Sequence, residues 1–385
     1  MRLSIFSGLA GAAVLLVPLV SFAQATAPAG AAVGVTAGGT TTTTAPPVVA
    51  TPPAQAAVAK PWKDAITVEG LVDAYGGVRF GGNATQPANF RVFDGPTDGF
   101  VLAYTELAVA MKAEPVGFRF DLGFGQVADL SSSTPGIEVW KHIQQAYVTY
   151  ALATSKPITI DVGKFVTSAG AEVIEARGNW NYSRSFLFGY AIPFTHTGVR
   201  LTVPLTAALS MQASVVNGWD LVLDNNAGKT FGLSFTFAAP TGTTIILNTY
   251  AGTEPLGMAT PWRILGDLIV SHTLGSVSLM LNADLGHQGD NNWYGVAGYA
   301  RMALGSSMNF SARGELFVDP QGFRLGTGVN TKVGEITATV GFPVGANGEL
   351  RAELRGDFAG DPIFVHGTGT DSQQFTATAA ALAWF

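Results

Sequence analysis

The chain has 385 residues and a formal net charge of −6; 47% of its residues are hydrophobic, only 12% are charged, and it contains 47 glycines and no cysteine. This composition excludes disulfide scaffolds and cysteine-ligated metal sites, disfavours nucleic-acid binding, and does not fit helical membrane proteins, which need repeated apolar runs of about 20 residues. An apolar average without such runs is typical of membrane-spanning strands that alternate lipid-facing and water-facing side chains.

The first predicted element is a secretory signal peptide at residues 1–23. Arg2 is followed by an apolar run that ends before Ser21, and small residues allow cleavage after Ala23 or Ala25. No cysteine follows either cleavage position, so the sequence excludes a lipoprotein anchor. We therefore expect an exported protein.

Residues 24–62 are rich in alanine, threonine and proline and include the tract Thr40–Thr44. Such a segment has too few bulky apolar side chains to offset the entropy lost on ordering. We predict a disordered or extended periplasmic leader and favour a tolerated linker over a peptidoglycan-binding or spacer role, with the folded domain spanning residues 63–385.

The folded domain is dominated by an alternation of apolar and polar residues. In the segment 116–125, Phe118 and Phe120 alternate with Arg119 and Asp121, which places the bulky apolar groups on one face of a strand. The pattern recurs in about sixteen segments of roughly the 9 to 11 residues that cross a membrane. The predicted strands are 66–76, 100–112, 116–125, 142–151, 157–165, 195–204, 207–217, 229–238, 243–251, 263–273, 276–286, 293–304, 307–317, 329–344, 348–358 and 374–385.

Short connections between these segments alternate with long ones, as expected for periplasmic turns and outer loops. The sequence therefore predicts an all-β fold: a transmembrane antiparallel up-and-down β-barrel of about sixteen strands, with fourteen to eighteen still open. The chain ends at Phe385, which shares a face with Phe375. A terminal aromatic on a lipid-facing last strand is similar to the signal that the outer-membrane assembly machinery reads.

Eight segments of the barrel region resemble the OmpL-like β-barrel porin family of the outer membrane. They are 70–75 (Gly-Leu-Val-Asp-Ala-Tyr), 145–148 (Gln-Ala-Tyr-Val), 161–165 (Asp-Val-Gly-Lys-Phe), 170–175 (Gly-Ala-Glu-Val-Ile-Glu), 181–185 (Asn-Tyr-Ser-Arg-Ser), 191–200 (Ala-Ile-Pro-Phe-Thr-His-Thr-Gly-Val-Arg), 217–220 (Asn-Gly-Trp-Asp) and 351–357 (Arg-Ala-Glu-Leu-Arg-Gly-Asp). The resemblance covers about residues 66–385 and is most specific over 161–220. It implies a passive outer-membrane channel without an assigned solute.

The connection 166–194 combines charged and aromatic residues, and such an apolar loop needs a surface to pack against. Folding into the lumen would supply that surface and narrow the pore, whereas an external lid or a trimer contact is the alternative. The inward interpretation makes four residues the candidate constriction: Glu172, Glu175, Arg177 and Arg184.

A second candidate set lies on the polar faces of predicted strands and would form the lumen wall. Such charges either set the field that filters solutes or pair with one another and stiffen the sheet, and we favour pairing for most of them. The set is Arg119, Asp121, Arg313, Glu315, Arg351, Glu353, Arg355 and Asp357.

Signals for an enzyme are weak. No G-x-S-x-G motif occurs, and the five histidines have no metal-ligand spacing, so we expect neither a metal site nor a cofactor. His196 with Ser183 or Ser185 could mimic an outer-membrane lipid hydrolase, although no third residue would orient the pair.

The sequence thus predicts a non-enzymatic outer-membrane porin with a water-filled lumen for small hydrophilic solutes or ions. A closed or plugged barrel serving as an adhesin or structural anchor is the alternative, and a lipid hydrolase is a weaker one. The expected partners are membrane lipid, the diffusing solutes, the assembly machinery through Phe385, and further copies in a homotrimer, but not nucleic acid.

Overall fold

The computed structural model describes residues 65–81, 87–131, 138–154 and 156–385. The predicted signal peptide and leader, residues 1–62, lie outside the described residues. Sixteen strands form a closed antiparallel barrel in which the first strand pairs with the second on one side and with the last on the other. These strands are β1 (Ile66–Phe80), β2 (Gly99–Met111), β3 (Val116–Phe124), β4 (Ile143–Ala151), β5 (Thr159–Val166), β6 (Thr195–Pro204), β7 (Leu209–Val216), β8 (Thr230–Ala238), β9 (Thr243–Thr253), β10 (Trp262–Leu274), β11 (Val277–Gln288), β12 (Asn291–Ala303), β13 (Asn309–Asp319), β14 (Thr331–Val344), β15 (Gly348–Ala359) and β18 (Gln373–Trp384).

The remaining elements are short. A two-stranded hairpin, β16 (Phe364–His366) with β17 (Gly369–Asp371), lies in the connection between β15 and β18. One α-helical segment, α1 (Gln126–Ser131), follows β3, and single helical turns occupy Glu138–His142, Ala176–Gly178 and Leu187–Ala191. In the described part of the chain, no helix is both long and apolar enough to cross a membrane.

The predicted barrel of sixteen strands is confirmed, and the main difference lies at the end of β1. The sequence predicted a strand over residues 66–76, but the strand continues past Gly76 and Gly77 to Phe80. Backbone pairing with β18 explains the difference, since it reaches as far as the Phe80–Phe375 pair. Strand pairing thus overrides the low strand propensity of two glycines.

The connections sort by the end of the barrel at which they lie. At the end where β1 begins, the turns are short: 112–115, 152–158, 205–208, 239–242, 275–276, 304–308 and 345–347. At the other end, most connections are longer: 81–98, 125–142, 167–194, 217–229, 254–261, 289–290, 320–330 and 360–372. This asymmetry is expected for a barrel with short periplasmic turns and larger outer loops.

The burial of neighbouring residues confirms the predicted strand faces. Phe120 on β3 is 37% exposed on the outer surface, whereas the adjacent Asp121 is fully buried inside the barrel. On β8, Phe231 is 56% exposed while Thr230 is buried. The outer surface is therefore apolar along these strands, and the polar groups face inward, as a membrane-spanning barrel requires.

The barrel closes between the first strand and the last residue. Phe385 exchanges two backbone hydrogen bonds with Gly70, at N···O distances of 3.1 and 3.3 Å. The Phe385 ring lies directly over Gly70, where a Cβ atom would sit only 2.2 Å from the ring. Glycine at this position therefore allows the aromatic ring to cover the seam.

The strand faces generate a paired prediction on β8. Phe235→Arg, which puts a charge on the lipid-facing surface near the middle of the strand, should destabilise the barrel by about 2 to 4 kcal/mol. The neighbouring substitution Thr236→Arg points into the lumen and should cost much less, with an altered conductance. Urea unfolding in lipid vesicles measures the difference. Equal destabilisation by both substitutions would contradict the assignment of the faces.

Candidate functional site

The connection between β5 and β6, residues 167–194, is here named loop 3. Its first part crosses from β5 to the inner faces of β9, β10 and β11. Ser168 shares a hydrogen bond with the Tyr250 hydroxyl at 2.8 Å, and the backbone N–H of Gly170 donates to Asp267 at 3.0 Å. Loop 3 therefore enters the barrel as soon as it leaves β5.

The middle of loop 3 is held by two carboxylates of the opposite wall. Glu353 on β15 accepts hydrogen bonds from the N–H groups of Tyr182 and Ser183, at 2.6 and 3.1 Å. Glu315 on β13 accepts from Phe186 and Leu187, at 2.7 and 2.5 Å. These bonds satisfy backbone donors that cannot reach bulk water, and they fix loop 3 against β13 and β15.

Apolar contacts cover the same part of loop 3. Phe186 and Leu187 are fully buried, within an apolar cluster that also includes Trp293 and Phe317 of the barrel wall. The Trp293 indole N–H donates to the Ala191 carbonyl at 3.0 Å. The aromatic content that made loop 3 unusual in the sequence thus packs inside the barrel, where it is removed from water.

Two of the four predicted constriction residues hold the fold of loop 3. Glu172 is buried, accepts a hydrogen bond from Arg313 at 2.6 Å, and accepts two more from Ser185. Arg184 is also buried and donates to the carbonyls of Ile174 and Tyr182. Both side chains therefore form hydrogen bonds that stabilise the packed part of loop 3.

The other two lie at its tip. Arg177 is exposed, with its guanidinium 5.0 Å from the centre of the Trp384 ring. Glu175 lies within electrostatic range of Asp121 and Arg119 on β3, and Glu106 on β2 is also within its range. Burial raises the pKa of Glu175, and the negative charge of Asp121 acts in the same direction.

The three predicted wall arginines on β13 and β15 form ion pairs, whereas Glu315 and Glu353 bind the backbone of loop 3. Arg313 contacts Glu335 on β14 at 2.6 Å, and Arg355 contacts Asp357 at 2.6 Å. Arg351 contacts Glu349 at 2.7 Å and also donates to the Ala176 carbonyl of loop 3. Arg313 therefore joins β13 to β14, whereas Arg355 and Arg351 pair within β15, and Arg351 also joins β15 to loop 3.

The remaining wall residues, Arg119 and Asp121, form an ion pair on β3 at 2.8 Å, close to the tip of loop 3. Arg119 also lies 3.5 Å from the half-exposed Glu69 of β1. The sequence analysis did not select Glu69 or Glu106. Both residues occupy inward-facing positions in the alternating pattern of β1 and β2, so that pattern could have identified them.

Solvent reaches part of the inner wall on β4 to β8. Many inward side chains on β4 to β8 are partly exposed, although Gln145, Asp161 and Ser234 are buried, whereas the inward side chains of β13 to β15 are mostly buried. The partly exposed set is Tyr147, Thr149, Arg200, Thr202, Ser210, Gln212, Ser214 and Thr236. A polar, mostly uncharged surface thus lines the free part of the lumen.

The structure does not bring together the residues of the lipid-hydrolase alternative. The imidazole Nδ1 of His196 contacts the Gly218 carbonyl at 2.9 Å, and its ring stacks on Tyr250. Ser183 and Ser185 instead contact Arg313 and Glu172. In the described ranges, no group of three or more histidine, aspartate or glutamate side chains is arranged to hold a metal ion.

Solved structures with the same fold are outer-membrane porins and channels. The anion-selective porin from Comamonas acidovorans has a TM-score of 0.58 at 10% identity, with 83% of this chain and 99% of that chain covered. The channel DcaP of Acinetobacter baumannii has a TM-score of 0.57 at 12% identity, with 83% of this chain and 97% of that chain covered. Pseudomonas putida OprB has a TM-score of 0.56 at 11% identity, with 84% of this chain and 95% of that chain covered.

No curated protein matches the chain. Residues 65–385 match the family model described as "Putative beta-barrel porin-2, OmpL-like". That match covers the whole barrel, including loop 3 and both candidate sets of charged residues. The chain therefore belongs to the OmpL-like β-barrel porin-2 family and is a porin of the bacterial outer membrane.

Proposed function

We propose that the protein is a passive diffusion pore for small hydrophilic solutes or ions and has no enzymatic activity. The observation that carries the proposal is the partly exposed polar wall on β4 to β8. A sixteen-stranded barrel has room for an aqueous lumen. The hydrogen bonds of loop 3 reach β9, β10 and β13 to β15, and Tyr182 also reaches Asp73 on β1. Loop 3 therefore narrows the lumen and leaves part of the wall on β4 to β8 open.

The constriction that we propose lies between the tip of loop 3 and the inner face of β1 to β3. Four carboxyl groups surround the single guanidinium of Arg119 there: Glu69, Glu106, Asp121 and Glu175. Arg177 adds a positive charge at the same tip. Within a passage narrower than the Debye length of about 8 Å, these fixed charges act on a passing ion with little screening.

Three interactions complete the proposal. Membrane lipid contacts the apolar outer surface, and the assembly machinery recognises Phe385, which is 69% exposed at the end of the last strand. The functional unit is a homotrimer. The same fold occurs in OmpT of Vibrio cholerae, one structure of which is described as a trimer form, at 10% identity.

Single-channel recording of the refolded protein in a planar bilayer tests the pore. We expect stepwise conductance, because solvent reaches the inner wall beside loop 3. The extensive bonding of loop 3 to β13 and β15 favours the alternative of a plugged structural or adhesin barrel. A correctly assembled barrel that gives no conductance would establish that alternative and contradict the pore.

The charge of the constriction gives a prediction about ion selectivity. Glu175→Gln should shift the zero-current potential in a salt gradient toward anion preference, and Arg177→Gln should shift it toward cation preference. Both residues lie at the tip, so the barrel should still assemble. If neither substitution shifts the zero-current potential but Arg200→Gln on β6 does, the residues that set ion selectivity lie on the wall at β6 and this prediction is wrong.

The same site predicts a pH dependence. Because burial raises the pKa of Glu175 above the usual value, this carboxyl is neutral over a wider pH range and becomes charged as pH rises. The cation preference of the wild type should therefore increase with pH, and Glu175→Gln should remove part of that increase. Measurement of the zero-current potential between about pH 5 and about pH 9 provides the test. An identical rise in both proteins would contradict it.

A further inference from the structure

Two aspartates lie directly opposite each other on the inner wall beneath the start of loop 3. Asp267 on β10 and Asp284 on β11 are register partners, and both side chains face inward. They are 1% and 4% exposed. A pair of like charges at directly opposed positions destabilises a sheet, so two buried aspartates in this arrangement need an explanation.

The two carboxyl groups differ in their hydrogen bonds. Asp267 accepts three: from the side-chain amides of Asn248 and Asn282, at 2.7 and 2.6 Å, and from the backbone N–H of Gly170 at 3.0 Å. Neither oxygen of Asp284 receives a hydrogen bond from a donor among the described residues. Two side chains lie within reach of Asp284: Asp267, and Asn282, whose amide donates to Asp267 at 2.6 Å.

The surroundings supply no compensating positive charge. Within the described residues, neither aspartate forms an ion pair with lysine or arginine. The ionisable groups on the packed elements are Glu315 of β13, whose charge acts on Asp284, and Tyr250 of β9. On loop 3, Glu172 faces this region but is already paired with Arg313. An additional negative charge on Asp284 would therefore be desolvated and repelled.

We propose that Asp267 and Asp284 share one proton, and that this carboxyl–carboxylate hydrogen bond clasps the start of loop 3 to β10 and β11. Asp284 carries the proton and donates it to Asp267, which remains the acceptor for Gly170. Two closely spaced carboxyls that cannot both ionise are expected to hold a proton in this way. The proton satisfies Asp284 and leaves a single negative charge for the three donors.

The arrangement makes the attachment of loop 3 sensitive to alkali. Below the pH at which the pair loses its proton, loop 3 is clasped to the wall. When the proton leaves, two adjacent negative charges repel each other, with Glu315 nearby, and the contact through Gly170 weakens. The pore then changes its conductance as the start of loop 3 moves. This consequence rests on the proposed pore, whereas the shared proton does not.

Infrared difference spectroscopy of the refolded barrel tests the proton independently of conduction. At neutral pH the wild type should show the absorption of a protonated carboxyl that is lost in Asp284→Asn, whose amide can donate to Asp267 without a titrating proton. Asp290→Asn is the control, because it makes the same change at an exposed position of the β11–β12 turn. Retention of the full band in Asp284→Asn would overturn the proposal.

Conductance against pH tests the clasp. The wild type and Asp290→Asn should show a stepwise change on going to alkaline pH, and Asp284→Asn should lose that step. If the infrared band is lost in Asp284→Asn but all three proteins conduct without a step, the proposed pH-dependent attachment of loop 3 is overturned, and the proposed pore is unaffected. If none conducts, the pore fails and the infrared result alone decides on the proton. If calcium chloride stabilises the wild type but not Asp284→Asn at neutral pH, the two aspartates bind a cation instead of sharing a proton, and the proposal is overturned.

Discussion

Loop 3 remains inside the barrel because two wall carboxylates each accept hydrogen bonds from two consecutive backbone N–H groups. Glu353 takes those of Tyr182 and Ser183, and Glu315 takes those of Phe186 and Leu187. A loop in the lumen has little access to water, so its donors need partners on the wall. The remaining contacts of loop 3, apolar and ionic, follow from the position that these four bonds set.

The architecture was predictable because it depends on one local property. Strands in lipid must place apolar groups outside and polar groups inside at every second residue, so the pattern can be seen in each segment without knowledge of its neighbours. The end of β1 differed because its glycines carry no such signal, and only pairing with β18 extends the strand. The aromatic residues of loop 3 likewise indicated that it packs against a surface.

The roles of individual charged residues could not be predicted in the same way. Glu172 and Glu175 lie three positions apart in one loop, yet Glu172 is bonded to Arg313 and Glu175 faces the opposite wall. Their difference depends on how loop 3 turns within the barrel, which no local pattern encodes. Similarly, Asp267 and Asp284 become neighbours only through the register of β10 and β11.

The seam between Gly70 and Phe385 also constrains the order of assembly. The bonds that close the barrel join β1 to β18, the first and last strands of the barrel, so they form only after the rest of the barrel sequence is available. Until then, both β1 and the growing end present unpaired strand edges, which are prone to wrong pairing. Closure is also a contact of very long sequence separation, and such contacts form slowly. An incomplete barrel therefore needs protection of its open edges until β18 pairs with β1.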